Sequence, residues 1–423
     1  MTAITTILRA YKYRLYPRPS QLPFLTEHFG ATRFVYNYFL DLRKKSYDSG
    51  IRLSGFDCKK MIPGLKTTYP WLWDINSQSL QESVINLEKA YQRFFKKLGA
   101  YPKPKKKRGR QSFTVPQHFT IRGSYLFIPK LESALKVNFH RRIQGKVKSC
   151  TISREPSGTF FVSFSVQENI HIPDLPGKIE KEESIDLGVG VLCTFFDGTK
   201  VEAPKYLRKA LKKLARLQWQ LSRKVKGSKN REKARIKVAR LHEYVRNQRK
   251  DFLHKLSSQV VNENQVIYLE DLNVKGMMQF EHLGLSVGDA GLGQFVKQLK
   301  YKSEWSGKKV VQIDRWYPSS MTCSVCGYVN EDLTLGSRVW VCPQCMTAHD
   351  RDHNAAKNIM AVGQDIVPEP LPFGDAFPVG KKTTVEKRTS VFSMKGIANS
   401  RQARRDYKSF SLKQKTKASG GLR

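Results

Sequence analysis

The spacing of apolar residues changes several times along this chain, and each change predicts an element. Leu8, Ala10, Tyr11, Tyr13, Leu15 and Tyr16 alternate loosely with Arg9, Lys12 and Arg14, which predicts a strand over 7–16 ended by Pro17 and Pro19. From Ser20 to about Leu98 the spacing turns helical, first through Leu22, Leu25, Phe29, Phe34, Tyr38 and Leu42, then through Leu80, Val84, Leu87, Tyr91 and Phe94, with Asp74 or Ser77 as a cap for the later helix. Strand signals return from Ser112 to Val166. The clearest is a hairpin, 149–154 and 160–166, turning at Pro156-Ser157-Gly158, with Phe160, Val162, Phe164 and Val166 on one face.

Residues 174–181 read as a linker, and strands follow at 183–189 and 191–196 with a turn at Asp197-Gly198. Residues 205–250 predict two helices joined at 227–230. Leu207, Leu211, Leu214, Leu217, Leu221 and Val225 form one apolar stripe; Ala234, Val238, Leu241 and Val245 form the other. The run 265–270 is apolar at consecutive positions, as in a strand covered on both faces. A helix over 293–305, a strand over 310–313 and a helix from near Asp350 through Met360 continue a β/α alternation. Residues 363–423, Pro-rich and then polar and basic, predict a disordered tail.

Charge narrows the partners. Lys and Arg number 75 against 36 Asp and Glu, a net charge of +39, so the surface attracts polyanions, nucleic acid being the commonest. An assembly protein of ribosomal type would share that charge, but 423 residues predict two or three domains and the 40% apolar fraction suffices for real cores. The tail's 13 Lys or Arg against two acids, over 381–423, leave +28 on the rest. Two stretches concentrate the charge. Residues 101–111 form a Pro-rich basic linker containing Lys105, Lys106, Lys107 and Arg108, which is either solvated or in contact with phosphate. Residues 205–250 hold 18 Lys or Arg, Arg223 and Lys224 among them, with only Glu232 and Glu243 as acids. A helical hairpin so basic suits a nucleic-acid duplex better than a plain coiled-coil arm. No secretory signal pattern stands at the N-terminus, and no apolar run approaches the ~20 residues of a membrane span. The expectation is a soluble cytoplasmic protein without a membrane partner, in a reducing compartment.

In such a compartment paired Cys-x-x-Cys motifs hold metal more often than disulfides. Cys323-x-x-Cys326 and Cys342-x-x-Cys345 bring four thiolates onto two tight turns, which suits one structural Zn²⁺ in a closed site; His349 is a spare ligand nearby. Cys58, Cys150 and Cys193 are expected to be ordinary buried thiols. Three acids stand out separately. Asp186 lies in Ser-Ile-Asp-Leu-Gly-Val-Gly, Glu270 closes Val-Ile-Tyr-Leu-Glu, and Asp352 sits at a predicted helix start. A carboxylate at the end of a buried strand is costly unless paired or metal-bound. For Asp352 a simple N-terminal helix charge is an equal alternative. Asp271 and Asp350 are weaker rivals. Two strand acids and one helix acid together match a centre for two Mg²⁺ or Mn²⁺ ions that hydrolyses phosphodiesters.

Ile-Asp-Leu-Gly-Val-Gly (185–190), Leu-Glu-Asp-Leu (269–272), Pro318-Ser-Ser-x-x-Cys323-x-x-Cys326-Gly327, Cys342-Pro-x-Cys345 and Asp350-Arg-Asp-His-Asn-Ala-Ala356 resemble TnpB, the nuclease family of insertion sequences akin to type V CRISPR effectors. Tyr11-x-x-Arg14-Leu-Tyr-Pro17, Arg33-Phe-Val-Tyr36-Asn37 and Leu80-Gln81 are similar too, and the match spans about 7–362. The resemblance implies an α/β RNase H-like (RuvC) domain over 182–322 and 346–362 with a Cys₄ zinc ribbon inserted at 323–345. It implies a wedge β-barrel over 1–19 and 112–176, interrupted by a helical recognition insertion over 20–111. It implies Asp186, Glu270 and Asp352 as catalytic metal ligands, a guide RNA from the element's own transcript, and cleavage of double-stranded DNA beside a short transposon-adjacent motif. Gln81 is a candidate reader of that motif, against plain helix-surface solvation. The expected assembly is one protein with its RNA. Two other readings stay open: a catalytically silent RNA-guided repressor and a guide-independent transposase.

Overall fold

The computed structural model describes residues 3–173, 179–334 and 336–366. Residues 174–178 of the proposed 174–181 linker and the tail from 367 onward lie outside the described residues.

In chain order the elements are β1 (Ala3–Tyr16), α1 (Leu22–Asp48), α2 (Gly55–Lys60), α3 (Ile62–Thr68), α4 (Ser77–Phe95), β2 (Gln111–Val115), β3 (Thr120–Arg122), β4 (Tyr125–Phe127), β5 (Leu135–Asn138), β6 (Lys146–Arg154) and β7 (Phe160–Ile172). There follow β8 (Glu182–Leu187), β9 (Val191–Phe195), β10 (Lys200–Glu202), α5 (Tyr206–Ser222), α6 (Lys229–Glu263), β11 (Val266–Glu270), α7 (Val274–Met277), α8 (Gly284–Ala290), α9 (Leu292–Trp305), β12 (Lys309–Ile313), β13 (Val339–Val341), β14 (Ala348–Asp350) and α10 (Arg351–Ile366).

The first seven strands form one antiparallel sheet in the order β2-β6-β7-β1-β5-β4-β3. It curls, so that Phe113 and Val115 from one end and Leu126 from near the other share a core with Tyr13, Phe160, Val162, Phe164 and Val166. The order is linear, and among the described residues no strand pairing joins β2 to β3. α1 to α4 are inserted between β1 and β2. The first turns of α1 give Leu25 and Phe29 to the sheet core, and its later turns give Val35 and Phe39 to a helical core with Leu80, Val84 and Leu87. The cap of α4 is neither Asp74 nor Ser77. Asn76 takes that place, its side-chain oxygen accepting from the amides of Gln78 and Ser79.

The second sheet has the order β10-β9-β8-β11-β12. β8, β11 and β12 run parallel, while β9 pairs antiparallel with β8 and β10 antiparallel with β9. Alternation along β11 shows why its sequence is apolar throughout. Ile267 and Leu269 pack with Leu253, Val260, Phe295 and Leu299 of α6 and α9 on one side; Val266 and Tyr268 pack with Ile359 and Met360 of α10 on the other. A side chain at Gly363 would meet the Tyr268 ring, with its Cβ 2.2 Å from Cδ1, so glycine lets α10 lie flat on the sheet. α10 continues to Ile366, past the Met360 end and into the predicted tail, and α6 continues to Glu263, well past residue 250. Among the described residues no helix is long and apolar enough to cross a membrane.

Candidate active site and cysteine cluster

Strand alternation places the first two acids. Ile185 and Leu187 face α6 and α9, so Asp186 faces α10; Glu270 shares its side with Val266 and Tyr268 and also faces α10. Parallel pairing sets Leu269 opposite Ile185, which brings Glu270 beside Asp186. Asp352 lies in the first turn of α10, which Ser184 ties to β8 by donating its hydroxyl to the Ala356 carbonyl at 2.7 Å. The three carboxylates interact electrostatically. Burial pushes the Asp186 carboxyl up to about 8, reinforced by the negative charges of Glu270 and Asp352 and opposed by Arg351. Burial raises Glu270 as well, against the Ser319 hydroxyl that donates to it and the nearby Arg351. The Arg338 guanidinium stands 3.6 Å from Asp352. Repulsion of this kind is relieved by protonation or by a cation, and hard oxygen donors suit Mg²⁺ or Mn²⁺.

The rival acids are occupied elsewhere. Asp271 pairs with Arg315. Asp350 caps α10, accepting from the His353 amide at 3.0 Å, and pairs with Lys200 at 2.7 Å.

Among the described residues the four cysteines are the one group of three or more potential ligands drawn close enough to hold an ion, their sulfurs all within 4.8 Å of one another. Cys323 and Cys345 are 3.6 Å apart, as are Cys326 and Cys342. A tetrahedron of ~2.3 Å Zn–S bonds has edges of about 3.8 Å, so the set fits zinc. Two matching turns build it. The Gly327 amide donates to the Cys323 carbonyl, and the Met346 amide to the Cys342 carbonyl, both at 2.9 Å. Gly327 and Met346 both adopt positive φ, 77° and 58°. The Thr347 hydroxyl and amide hold the Cys345 thiol down to about 6, toward the thiolate a metal needs. His349 touches Cys323 at 3.1 Å and packs against Trp340, beneath the cluster. Cys58, Cys150 and Cys193 are buried and apart from it.

Two asparagines join the cluster to the acids. Asn354 and Asn358, one turn apart on α10 and buried, both donate to the Thr322 carbonyl, at 2.7 and 2.6 Å. Asn358 also donates to the Ser319 carbonyl, and Asn354 accepts from the Ser324 amide. The loop that delivers Cys323 and the Ser319 bonded to Glu270 is therefore pinned to the helix carrying Asp352. Sequence reasoning passed over Ser319, Arg338, Asn354 and Asn358; the i, i+4 spacing of the two asparagines on an apolar helix face was the signal for them.

The basic candidates are brought together only in part. Gln81 is exposed on α4. The 101–111 segment is more ordered than a solvated linker: Asn37 exchanges hydrogen bonds with the Lys105 backbone, the Lys105 ammonium sits over the Tyr36 ring at 4.0 Å, and Gln111 donates to the carbonyls of Lys106, Lys107 and Gly109. Lys106, Lys107 and Arg108 are exposed. Arg223 and Lys224 stand at the tip of the α5–α6 hairpin, and Arg108 reaches the same hairpin, lining a concavity with Leu221, Gly227 and Ser228.

The fold and its two clusters define an α/β protein with a cysteine cluster fit for a metal ion and a separate group of three interacting acids, on a strongly basic scaffold. A family model described as "Probable transposase" (OrfB_IS605) matches residues 167–281, and one described as "Cas12f1-like, TNB domain" matches 293–359. A third, described as "Helix-turn-helix domain", matches 1–52, although β1 and the single long α1 occupy that stretch here. The chain is 37% identical over 365 residues to a "Putative RNA-guided DNA endonuclease" of Streptomyces pristinaespiralis, covering 84% of this chain and 90% of the relative. It is 33% identical to the "Putative RNA-guided DNA endonuclease InsQ" of Escherichia coli K12, covering 85% and 93%. A solved Cas12f1-sgRNA-target DNA complex superposes over 84% of this chain and 98% of that one, at 13% identity and a TM-score of 0.44, too low to carry a conclusion. The chain belongs to the TnpB (OrfB_IS605) family of insertion-sequence proteins.

Proposed function

We propose that this chain is an RNA-guided DNA endonuclease of a transposable element. Its guide RNA comes from the element's transcript, and it cuts double-stranded DNA beside a short adjacent motif. The two relatives carry that activity in their names and align over most of their lengths. The observation that carries the reading is the convergence of Asp186, Glu270 and Asp352, from three distant segments, on the α10 side of one sheet.

In this reading the five-stranded sheet with α6, α9 and α10 is an RNase H-like RuvC domain, residues 182–322 and 346–362, and 323–345 is its zinc ribbon. The curled sheet, 1–19 and 112–176, is the wedge, and 20–111 is the recognition insertion. Mg²⁺ or Mn²⁺ bound by the three acids would neutralise them, polarise the scissile phosphate and lower the pKa of a water for in-line attack. The protein's own share is positioning. Ser319 fixes the rotamer of Glu270 through its hydroxyl. Asn354 and Asn358 hold the Ser319 loop against α10. Arg338 and Arg351 offset the carboxylates' charge while no cation is bound. Cys323, Cys326, Cys342 and Cys345 take one structural zinc, and with all four positions filled by thiolates no open site remains for chemistry there.

A silent RNA-guided binder would use the same scaffold. The enzyme is favoured because three mutually repelling carboxylates lower stability and serve no purpose in binding a polyanion. The test is to sequence the RNA that co-purifies with the protein expressed beside its native flanking DNA. One species with fixed ends, reaching past the gene's 3′ region, is expected. A random spread of cellular RNA would overturn RNA guidance.

A further inference from the structure

The tip of the α5–α6 hairpin combines features that neither the packing nor the acid centre uses. Trp219 in the last turn of α5 is 57% exposed, although its helix has a stripe of leucines to bury. Beside it a concavity of about 670 Å³ opens between the end of α5 and the first turns of α6. Arg223, Lys224, Lys233 and Lys237 line it together with Gln220, and no carboxylate does. The Arg223 guanidinium already lies over the indole at 4.6 Å, showing that the ring accepts a flat cationic partner.

The tip is also rigid. Ser228 caps α6 by accepting from the Arg231 amide, and the Arg231 guanidinium donates to the carbonyls of Leu221 and Lys224, at 2.9 and 2.6 Å. These bonds fix the turn and so the angle at which Trp219 is presented. A planar aromatic ring on a fixed mount, ringed by cations and free of acids, matches the chemistry of a nucleobase flanked by phosphates. The base stacks on the indole and the ammonium groups meet the backbone. A base inside a continuous duplex keeps both faces covered, so the ligand is an unpaired nucleotide.

We propose that Trp219, with Arg223 and the surrounding lysines, is a stacking site for one unpaired nucleotide of the nucleic acid this protein carries. This rests on the nucleic-acid reading above but not on cleavage. The nucleotide belongs either to the RNA or to an unwound DNA strand; the chemistry is shared.

The test uses the full chain freed of co-purifying RNA, in the cleavage-deficient Asp186→Ala background. Its probes are a 12-nucleotide single-stranded RNA, the DNA of the same sequence and a blunt 12-base-pair duplex, each with one 5-iodouracil base. After irradiation, the single strands are expected to mark the tryptic peptide 217–223, whose one aromatic is Trp219, and the duplex to leave it unmarked. Stronger marking by RNA or by DNA identifies the source. Trp219→Ala should weaken single-strand binding about 5- to 150-fold, the loss of one stacked base, with the salt dependence unchanged because no phosphate contact is removed. Trp219→Phe should retain most of it, and Lys233→Ala should instead flatten the salt dependence. Adducts elsewhere but none in 217–223, equal marking by the duplex, or unchanged affinity in Trp219→Ala would each overturn the site. If the unsubstituted protein binds no probe at all, the nucleic-acid reading itself fails.

Discussion

The cysteine cluster and the group of three acids are built in opposite ways. The four thiols sit on two nearly identical turns within 23 residues of chain, and local hydrogen bonds pre-shape each turn. The three carboxylates come from positions 186, 270 and 352, and nothing local brings them together. A sheet register and a helix packed flat on the sheet do so, against their mutual repulsion. The cysteine cluster is a closed structural unit, whereas the acid centre stores electrostatic strain that a bound cation or a proton relieves. The asparagine clamp on α10 makes the second depend on the first.

Breaking the acid centre should give the largest effect. Asp186→Ala is expected to reduce DNA cleavage by at least about 10²–10³-fold, the scale of removing one group that stabilises transition-state charge, while binding of guide and target stays intact in a filter assay. Next is the cluster. Cys342→Ser should lose zinc, measured by metal analysis, and become protease-sensitive around 323–345. Because Asn354 and Asn358 tie that loop to the helix of Asp352, cleavage should fall as well. Full zinc content with full activity would contradict a structural site.

The electrostatic strain has a pH signature. The folded Asp186 carboxyl titrates near 8, above its ordinary value of 3.8. Between those values the unfolded chain has lost a proton that the folded chain keeps. In EDTA, stability should therefore fall as pH rises from about 4 to about 8 and then level off, as far as this group decides it. Millimolar Mg²⁺ should flatten that fall, and Asp186→Asn should reduce it to the smaller part that the raised Glu270 carboxyl contributes. Denaturant melts at several pH values read this directly, and a fall undiminished in Asp186→Asn would assign it elsewhere. Gly363→Ala tests how the acids are brought together. The new methyl strikes the Tyr268 ring, so destabilisation of about 1–3 kcal/mol is expected, together with a loss of activity as α10 lifts. The smallest effect concerns a region outside both clusters: Asn76→Ala should cost about 1 kcal/mol through the lost cap of α4.

The sequence revealed most where periodicity or spacing is local. The hairpin at β6–β7, the doubly covered β11 and the paired Cys-x-x-Cys turns all stand where their patterns put them. Boundaries were weaker. α6 outruns its basic stretch because Leu253, Leu256 and Val260 keep packing on the second sheet beyond residue 250. Asn76 took the cap from its neighbours because only its side chain meets the free amides. The links between distant segments were not legible. Ser319 on Glu270 and Arg338 on Asp352 depend on tertiary contacts with no periodic signature, and the i, i+4 spacing of Asn354 and Asn358 marks a shared helix face without telling that it holds the Cys323 loop. The nucleic-acid candidates were chosen by charge alone, and charge could not tell Lys105, seated on Tyr36, from the open tip around Trp219.

The central claim is that this protein cuts guide-matched DNA at the centre of Asp186, Glu270 and Asp352. Its most direct test is cleavage of a supercoiled plasmid carrying the guide-matched sequence, by the purified protein–RNA complex with Mg²⁺. Linear product from the unsubstituted protein, absent in EDTA, with mismatched guide and with Asp186→Ala, is the predicted result. Linear product from Asp186→Ala at the unsubstituted rate would contradict it.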